Sequence, residues 1–150
     1  MVRGKERPSF VELPLTYGGL GLPYPSTLIW TPGVQVSPGA VWRGFARLHD
    51  TRDMGEPWEI LAVLIAGEKL ARDVGSATER KKTEAAVGDL RLPVYDTGVL
   101  WVRKTPVTER LVARWGVEVE GGADESHAFL RALYGERAML CTLPAGWYQC

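Results

Sequence analysis

The sequence predicts an α/β fold with a mixed, mainly parallel sheet and flanking helices. Three successive signals within residues 92–115 support this prediction. A polar turn at 96–98 precedes a continuous apolar run over 99–102, which is typical of a strand buried on both faces. Thr105 and Pro106 then supply a hydroxyl N-cap and a proline at the first helical position. Strands and helices alternate over the rest of the chain, as they do in α/β proteins.

The composition is that of an ordinary globular protein of one domain. The 150 residues are 45% hydrophobic and 24% charged, and 18 basic residues balance 18 acidic ones. A neutral chain is not expected to be a general nucleic-acid binder, which would carry a basic excess. The longest apolar run, 60–66, is far shorter than the roughly 20 residues of a membrane span. Two cysteines are too few for a disulfide framework and favour a cytoplasmic location.

Glycine and proline divide the chain into two expected regions. Residues 1–22 are rich in both and predict an N-terminal arm, with an edge strand over 10–13. Residues 23–150 are expected to form a single α/β domain. Its first elements are a short apolar strand over 27–30 and a short helix over 40–48, whose inward positions are Val41, Trp42, Phe45 and Leu48.

The strongest predicted helix covers residues 58–73. Its apolar positions extend around much of the circumference, which is typical of a core helix. Ser76 and Glu79 have the spacing of a capping box, so a second helix is expected to begin there. That segment has little apolar content and is expected to be a surface helix or a mobile connection.

The last third of the chain predicts two amphipathic helices and a strand. The helix that follows Thr105 carries one apolar stripe, Val107, Leu111 and Trp115. Asp124 is expected to cap a further helix over 125–134, in which His127 is predicted to lie at the surface or in an interface. A buried strand is expected over 138–141, followed by a turn with two aromatic residues, Trp147 and Tyr148.

Taken in order, these pieces resemble the second half of a nucleotide-diphospho-sugar transferase domain, which has the GT-A glycosyltransferase fold. In that family an aromatic-polar-glycine turn leads into a buried strand, and an Arg-x-Thr-Pro-like start opens a helix that ends in tryptophan. An acidic pair opens the next helix, and a strand and a Leu-Pro turn with an aromatic residue follow. The matching segments here are Tyr95 to Val99, Arg103 to Trp115, Asp124 with Glu125, and Leu143 to Trp147.

The resemblance covers about residues 23–149 and implies a truncated or degenerate GT-A domain. It implies transfer of a sugar from a nucleotide-sugar donor to an acceptor hydroxyl. It also implies that Asp124 and Glu125 are an acidic catalytic pair near the acceptor or the leaving sugar. The implied substrate-binding residues are Asp96, Thr97, Gly98 and Trp147.

Each of these residues also has a purely structural interpretation. Asp96 could satisfy the amides of its own turn, as aspartates in turns commonly do. Asp124 and Glu125 could serve as an N-cap and a favourable charge at a helix N-terminus. Trp147 could close the core.

The chain departs from the family in two places. The Asp-x-Asp motif that holds a divalent metal in the family falls here at Thr31, Pro32 and Gly33, which offer no carboxylate. Mn²⁺ or Mg²⁺ is therefore not expected as a cofactor. The segment before residue 23 is also too short to cradle a nucleotide base.

These departures favour an alternative function. The chain could be a non-catalytic α/β interaction or structural module that binds a protein partner or self-associates. A weaker third hypothesis is a hydrolase that uses Asp50 and Asp96.

Overall fold

A computed structural model of the chain describes residues 10–11, 22, 26–30, 37–48, 58–64 and 69–143. Over these residues the chain forms five strands and four α-helices, with a short 3-10 turn at Ala71–Asp73. The strands are β1 (Phe10–Val11), β2 (Ser26–Trp30), β3 (Ile60–Leu64), β4 (Tyr95–Arg103) and β5 (Leu140–Leu143). The helices are α1 (Pro38–Leu48), α2 (Ala77–Val87), α3 (Pro106–Glu120) and α4 (Glu125–Glu136).

The strands form one mixed sheet with the order β1-β2-β4-β3-β5. β4 runs antiparallel to both of its neighbours, whereas β1 pairs with β2, and β3 with β5, in parallel. The α/β class is thus confirmed, but the prediction of a mainly parallel sheet is wrong. A continuous apolar run is typical of parallel sheets because helices cover both of their faces. Here helices cover both faces of a strand that is antiparallel to its neighbours, so the run reports burial and not strand direction.

Helices cover both faces of the sheet. α1 packs on one face, where Val99 and Trp101 of β4 contact Val41 and Leu48. Leu100 and Val102 point to the opposite face, because successive side chains of a strand alternate in direction. The core on that face is completed by side chains of α3 and α4, among them Leu111, Trp115, Phe129 and Leu130. The expected burial of this strand on both faces is confirmed.

The predicted helix over 58–73 is wrong. Residues 60–64 form β3, which lies between β4 and β5, and residues 71–73 form the 3-10 turn. Ile60 pairs with Val102 and Ala62 with Leu100. Periodicity alone cannot separate a short apolar run in a fully buried strand from a segment of buried helix. Only the sheet pairing decides between them.

Two side chains differ from the prediction in whether they are buried or exposed. Trp42 was expected to point inward, but 53% of its surface is exposed, and it packs at the surface against Phe45 with ring centroids 6.2 Å apart. His127 was expected at the surface or in an interface, but it is fully buried in this chain. The last strand also begins two residues later than predicted, at Leu140.

The predicted helix starts are confirmed by their caps. The Ser76 hydroxyl accepts the Glu79 N–H at 3.1 Å, and α2 is therefore a true helix. Thr105 caps α3 with Pro106 at its first position, and Asp124 caps α4. Each of these signals is local, so it does not depend on the tertiary structure.

Several predictions fall outside the described residues. They concern most of the N-terminal arm, the Thr31 to Gly33 segment, Asp50 and Trp147.

For the part of the chain that the structure describes, no helix is both long and apolar enough to cross a membrane.

Candidate functional site

The predicted turn at residues 96–98 does not precede the strand: these residues belong to β4 itself, at the point where its pairing with β3 is irregular. Ala62 pairs with Leu100 and Leu64 pairs with Tyr95, so residues 96–99 lie opposite Val63 alone. A carboxylate oxygen of Asp96 accepts the N–H of Gly98 at 2.8 Å. This hydrogen bond is the turn contact expected from the structural interpretation of Asp96. The register shift is a bulge-like irregularity near the start of β4.

The structure brings this turn to the N-terminus of α4. Thr97 is buried, and its hydroxyl lies 3.5 Å from Oε2 of Glu125, a residue 28 positions further along the chain. The indole N–H of Trp115 donates to the backbone carbonyl of Glu125 at 3.1 Å, which fixes the first turn of α4. Two of the implied site segments, 96–98 and 124–125, therefore meet in space.

Asp124 has a structural role. Its side chain accepts the N–H of His127 at 3.0 Å and thereby caps α4. Its own N–H donates to Oε1 of Glu79 in α2 at 2.9 Å. Of the implied acidic pair, Glu125 is therefore the residue that faces the 96–98 turn, while Asp124 holds the helix end.

Behind this helix end lies a buried polar network made of Glu79, Thr83, His127 and Arg131. His127 Nδ1 lies 2.8 Å from the Thr83 hydroxyl, and its Nε2 lies 2.9 Å from the Val74 carbonyl. Since a carbonyl can only accept, Nε2 carries the hydrogen and Nδ1 accepts from Thr83. Both ring nitrogens are thus used in packing, so His127 is a structural residue and not a base.

Gly75 is required where it lies against His127. Its φ of 76° is left-handed, and a Cβ atom there would lie 2.6 Å from Cδ2 of the imidazole. Both the backbone conformation and the close approach of the ring therefore demand glycine.

Arg131 joins three helices within the buried polar network. Its guanidinium donates to Thr83 of α2 at 3.0 Å, to Glu79 of α2 at 3.2 Å and to Glu118 of α3 at 2.9 Å. Burial disfavours the charge of Arg131, but the two glutamates outweigh this effect and raise its pKa.

The sequence contained a signal for the buried polar network that our sequence analysis missed. Asp124, His127 and Arg131 are spaced by three and four residues, and Glu79 and Thr83 by four. Such spacings place side chains on one face of a helix. Charged side chains are seldom buried unless they are paired, and the pairing between helices is invisible in the sequence.

The lowered pKa of Glu79 predicts that the fold loses stability in acid. Burial opposes its ionisation, but the hydrogen bond from Asp124 N–H and the contact with Arg131 outweigh burial, so its pKa lies below the ordinary 4.5. A lowered folded-state pKa stabilises the fold fully at pH values above the ordinary one. This contribution is lost as the pH falls through the folded-state value.

Unfolding by urea, measured from about pH 6 down to about pH 3, tests this contribution. We expect the free energy of unfolding of the wild type to fall more steeply with acid than that of Glu79→Gln, because the variant has no carboxyl to titrate there. Parallel curves would show that Glu79 does not contribute. All other carboxyl groups are shared by the two proteins and cancel in the comparison.

A surface pocket of about 360 Å³ opens between the N-terminus of α2 and the C-terminus of α3. Its lining includes Lys82, Gly121 and Ala123, together with Glu79 and Glu118. No residue of 96–98 or 124–125 lines it. The pocket is therefore separate from the meeting point of Thr97 and Glu125.

Metal ligands are not gathered anywhere among the described residues. Within 10–11, 22, 26–30, 37–48, 58–64 and 69–143, no three His, Cys, Asp or Glu side chains lie close enough to hold a metal ion. The segment from Thr31 to Gly33 lies outside these ranges, so the prediction that a divalent metal is absent stays a prediction.

No protein-family model, no curated protein and no solved structure matches the chain. The resemblance to nucleotide-diphospho-sugar transferases therefore rests on the residues and their order alone.

Proposed function

We propose that the chain is a glycosyltransferase-like domain that binds a nucleotide-sugar donor. In an active form it would transfer the sugar to an acceptor hydroxyl. The observation that supports this proposal is the 3.5 Å approach of Thr97 to Glu125. The resemblance implies that Thr97 lines the donor-sugar pocket and that Glu125 lies near the acceptor or the leaving sugar. The two residues are therefore expected to lie near each other although they are 28 positions apart in the chain.

The chemistry of this meeting point suits a sugar. Sugar hydroxyls both donate and accept hydrogen bonds, and the Thr97 hydroxyl and the Glu125 carboxylate offer both partners. Gly98 has no side chain and allows a ligand close to the backbone. In the transfer, the acceptor oxygen bonds to the anomeric carbon as the bond from that carbon to the phosphate breaks. Glu125 is our candidate for the base that takes the acceptor proton.

One observation favours the alternative, a non-catalytic interaction module. Trp42 exposes 53% of its surface on α1, and large exposed aromatic side chains are enriched where proteins bind one another. The carboxylates of Asp96 and Asp124 also serve the turn and the helix cap, respectively. A partner protein or a second copy of the chain would then dock on α1.

A thermal titration with a panel of nucleotide sugars, with and without Mn²⁺, separates the two functions. A ligand that binds the native state at about 100 times its dissociation constant adds about 2.7 kcal/mol to the stability. We expect a saturable rise in the melting temperature with at least one donor. A well-folded protein that responds to no donor in the panel would contradict the proposal and favour the interaction module.

Conservative variants then locate the site. Glu125→Gln and Asp96→Asn remove a charge but keep a hydrogen-bond acceptor, and we expect each to weaken donor binding by about tenfold or more, as loss of a charged hydrogen bond does. Asp124→Asn is the control, since asparagine caps helices as well as aspartate does. It should fold and bind like the wild type. Equal weakening in all three variants would argue against a site centred on Thr97 and Glu125.

A further inference from the structure

Arg131 lies seven residues after the N-cap of α4, and only 4% of its surface is exposed. Its Nε and Nη2 atoms both lie 2.9 Å from Oε1 of Glu118, which is a fork that only arginine can provide. Nη2 also reaches Oε1 of Glu79 at 3.2 Å. One guanidinium group therefore sets the distance between α2, α3 and α4.

The Glu79 oxygen that contacts Arg131 also accepts the N–H of Asp124, at 2.9 Å. In a capping box, a side chain three residues after the N-cap accepts this N–H. That position in α4 is His127, whose ring is held instead by Thr83 and Val74. Glu79 thus supplies from another helix the acceptor that α4 lacks in its own sequence.

We propose that Arg131 is a positioning residue for the N-terminus of α4. By holding Glu79 it fixes the backbone of Asp124, and the next residue, Glu125, is thereby placed against Thr97. The guanidinium of Arg131 donates to Glu118, Thr83 and Glu79 and not to Thr97 or Glu125, so it acts on the helix end through Glu79. Its importance for sugar binding rests on the proposed function, whereas its effect on the helix end does not.

Hydrogen exchange measured by NMR tests this role without a ligand. Two protons report on the helix end: the Asp124 amide, bound to Glu79, and the Trp115 indole, bound to the Glu125 carbonyl. Arg131→Lys keeps the charge and loses the fork. We expect both protons to exchange about tenfold faster or more in this variant, since their bonds open locally. The Leu100 amide in the centre of the sheet should keep its rate.

Arg110→Lys is the matched control. Arg110 also ties α3 to α4, through Glu136 at 2.8 Å, but at the opposite end of α4. Arg110→Lys should leave the exchange rates of the Asp124 amide and the Trp115 indole proton unchanged. If both arginine variants speed up these protons equally, the effect comes from general loosening of α4 and the proposal fails.

Two other outcomes overturn the proposal. Unchanged exchange of both protons in folded Arg131→Lys would show that Arg131 does not set the helix end. An equal acceleration of all amides, Leu100 included, would show that it contributes only to global stability. Should Arg131→Lys fail to fold, Glu118→Gln provides the test, because it removes a charge that holds Arg131 and leaves Glu79, the acceptor of the Asp124 amide, in place. Unchanged rates there also overturn the proposal.

Titration of the same samples with nucleotide-sugar donors distinguishes the proposed function from the proposed role of Arg131. A wild type that binds no nucleotide sugar counts against the proposed function, and the hydrogen exchange still decides on Arg131. If the wild type binds a donor, we expect Arg131→Lys to bind it about tenfold more weakly, with more loss in affinity than in global stability.

Discussion

Trp101→Ala is expected to lower the free energy of unfolding by about 3–5 kcal/mol, the range found for truncation of large buried aromatic side chains. Trp101 is fully buried in β4, between Leu28 of β2 and Leu61 of β3. Its indole N–H donates to the Val41 carbonyl of α1 at 3.3 Å. Truncation leaves a cavity between the sheet and α1 and removes the indole hydrogen bond to the Val41 carbonyl.

Urea denaturation followed by circular dichroism measures this loss, with Trp42→Ala as the control. The two substitutions remove the same side chain, but Trp42 is 53% exposed. Surface substitutions usually change stability by less than about 1 kcal/mol. A loss of similar size at both positions would contradict the exposed position of Trp42. A small loss at Trp101 would contradict its central position.

Gly44→Ala is expected to destabilise the fold by about 1–3 kcal/mol, as overpacking of a core does. On helix propensity alone the change would stabilise α1 by about 1 kcal/mol. Packing reverses the sign, because a Cβ atom at Gly44 would lie 2.1 Å from Nε1 of Trp101. The indole is held by both the sheet and Val41, so it cannot move aside without a cost.

Gly39→Ala in the same helix is the control for Gly44→Ala. A Cβ atom at Gly39 would meet only the end of the flexible Arg43 side chain, at 3.0 Å, so we expect a neutral or slightly stabilising change. Gly44→Ala should also lose its cost in a Trp101→Ala background, a non-additivity that thermal unfolding of the double variant detects. Stabilisation by Gly44→Ala in the wild type would rule out the close contact.

Local signals predicted the helix starts, and non-local pairing decided the rest. Ser76, Thr105 and Asp124 cap their helices through side chains within three residues. The segment 60–64 has an apolar pattern that suits either a strand or a buried helix, and it becomes β3 because β4 and β5 lie on its two sides. The sequence also did not predict that β4 runs antiparallel to its neighbours, because this depends on which strands lie beside it.

The candidate site divides in the same way. That the Asp96 carboxylate accepts a nearby backbone N–H and that Asp124 caps a helix could be predicted from the residues themselves. That Thr97 meets Glu125 depends on how α4 packs against β4, and the sequence suggested it only through the resemblance to a family. The hydrogen bonds of Arg131 join three helices, so none of them could be predicted before the helices were placed.

The strand order has a consequence for synthesis of the chain. β4 lies between β2 and β3 but follows both in the sequence. On the ribosome, β2 and β3 therefore emerge with their facing edges unpaired, and the sheet cannot close until residues 95–103 have been made. The strands in the first half of the nascent chain can complete their pairing only after the second half has been made, because contacts distant in sequence form late. Until then these unpaired edges are open to pairing with other chains.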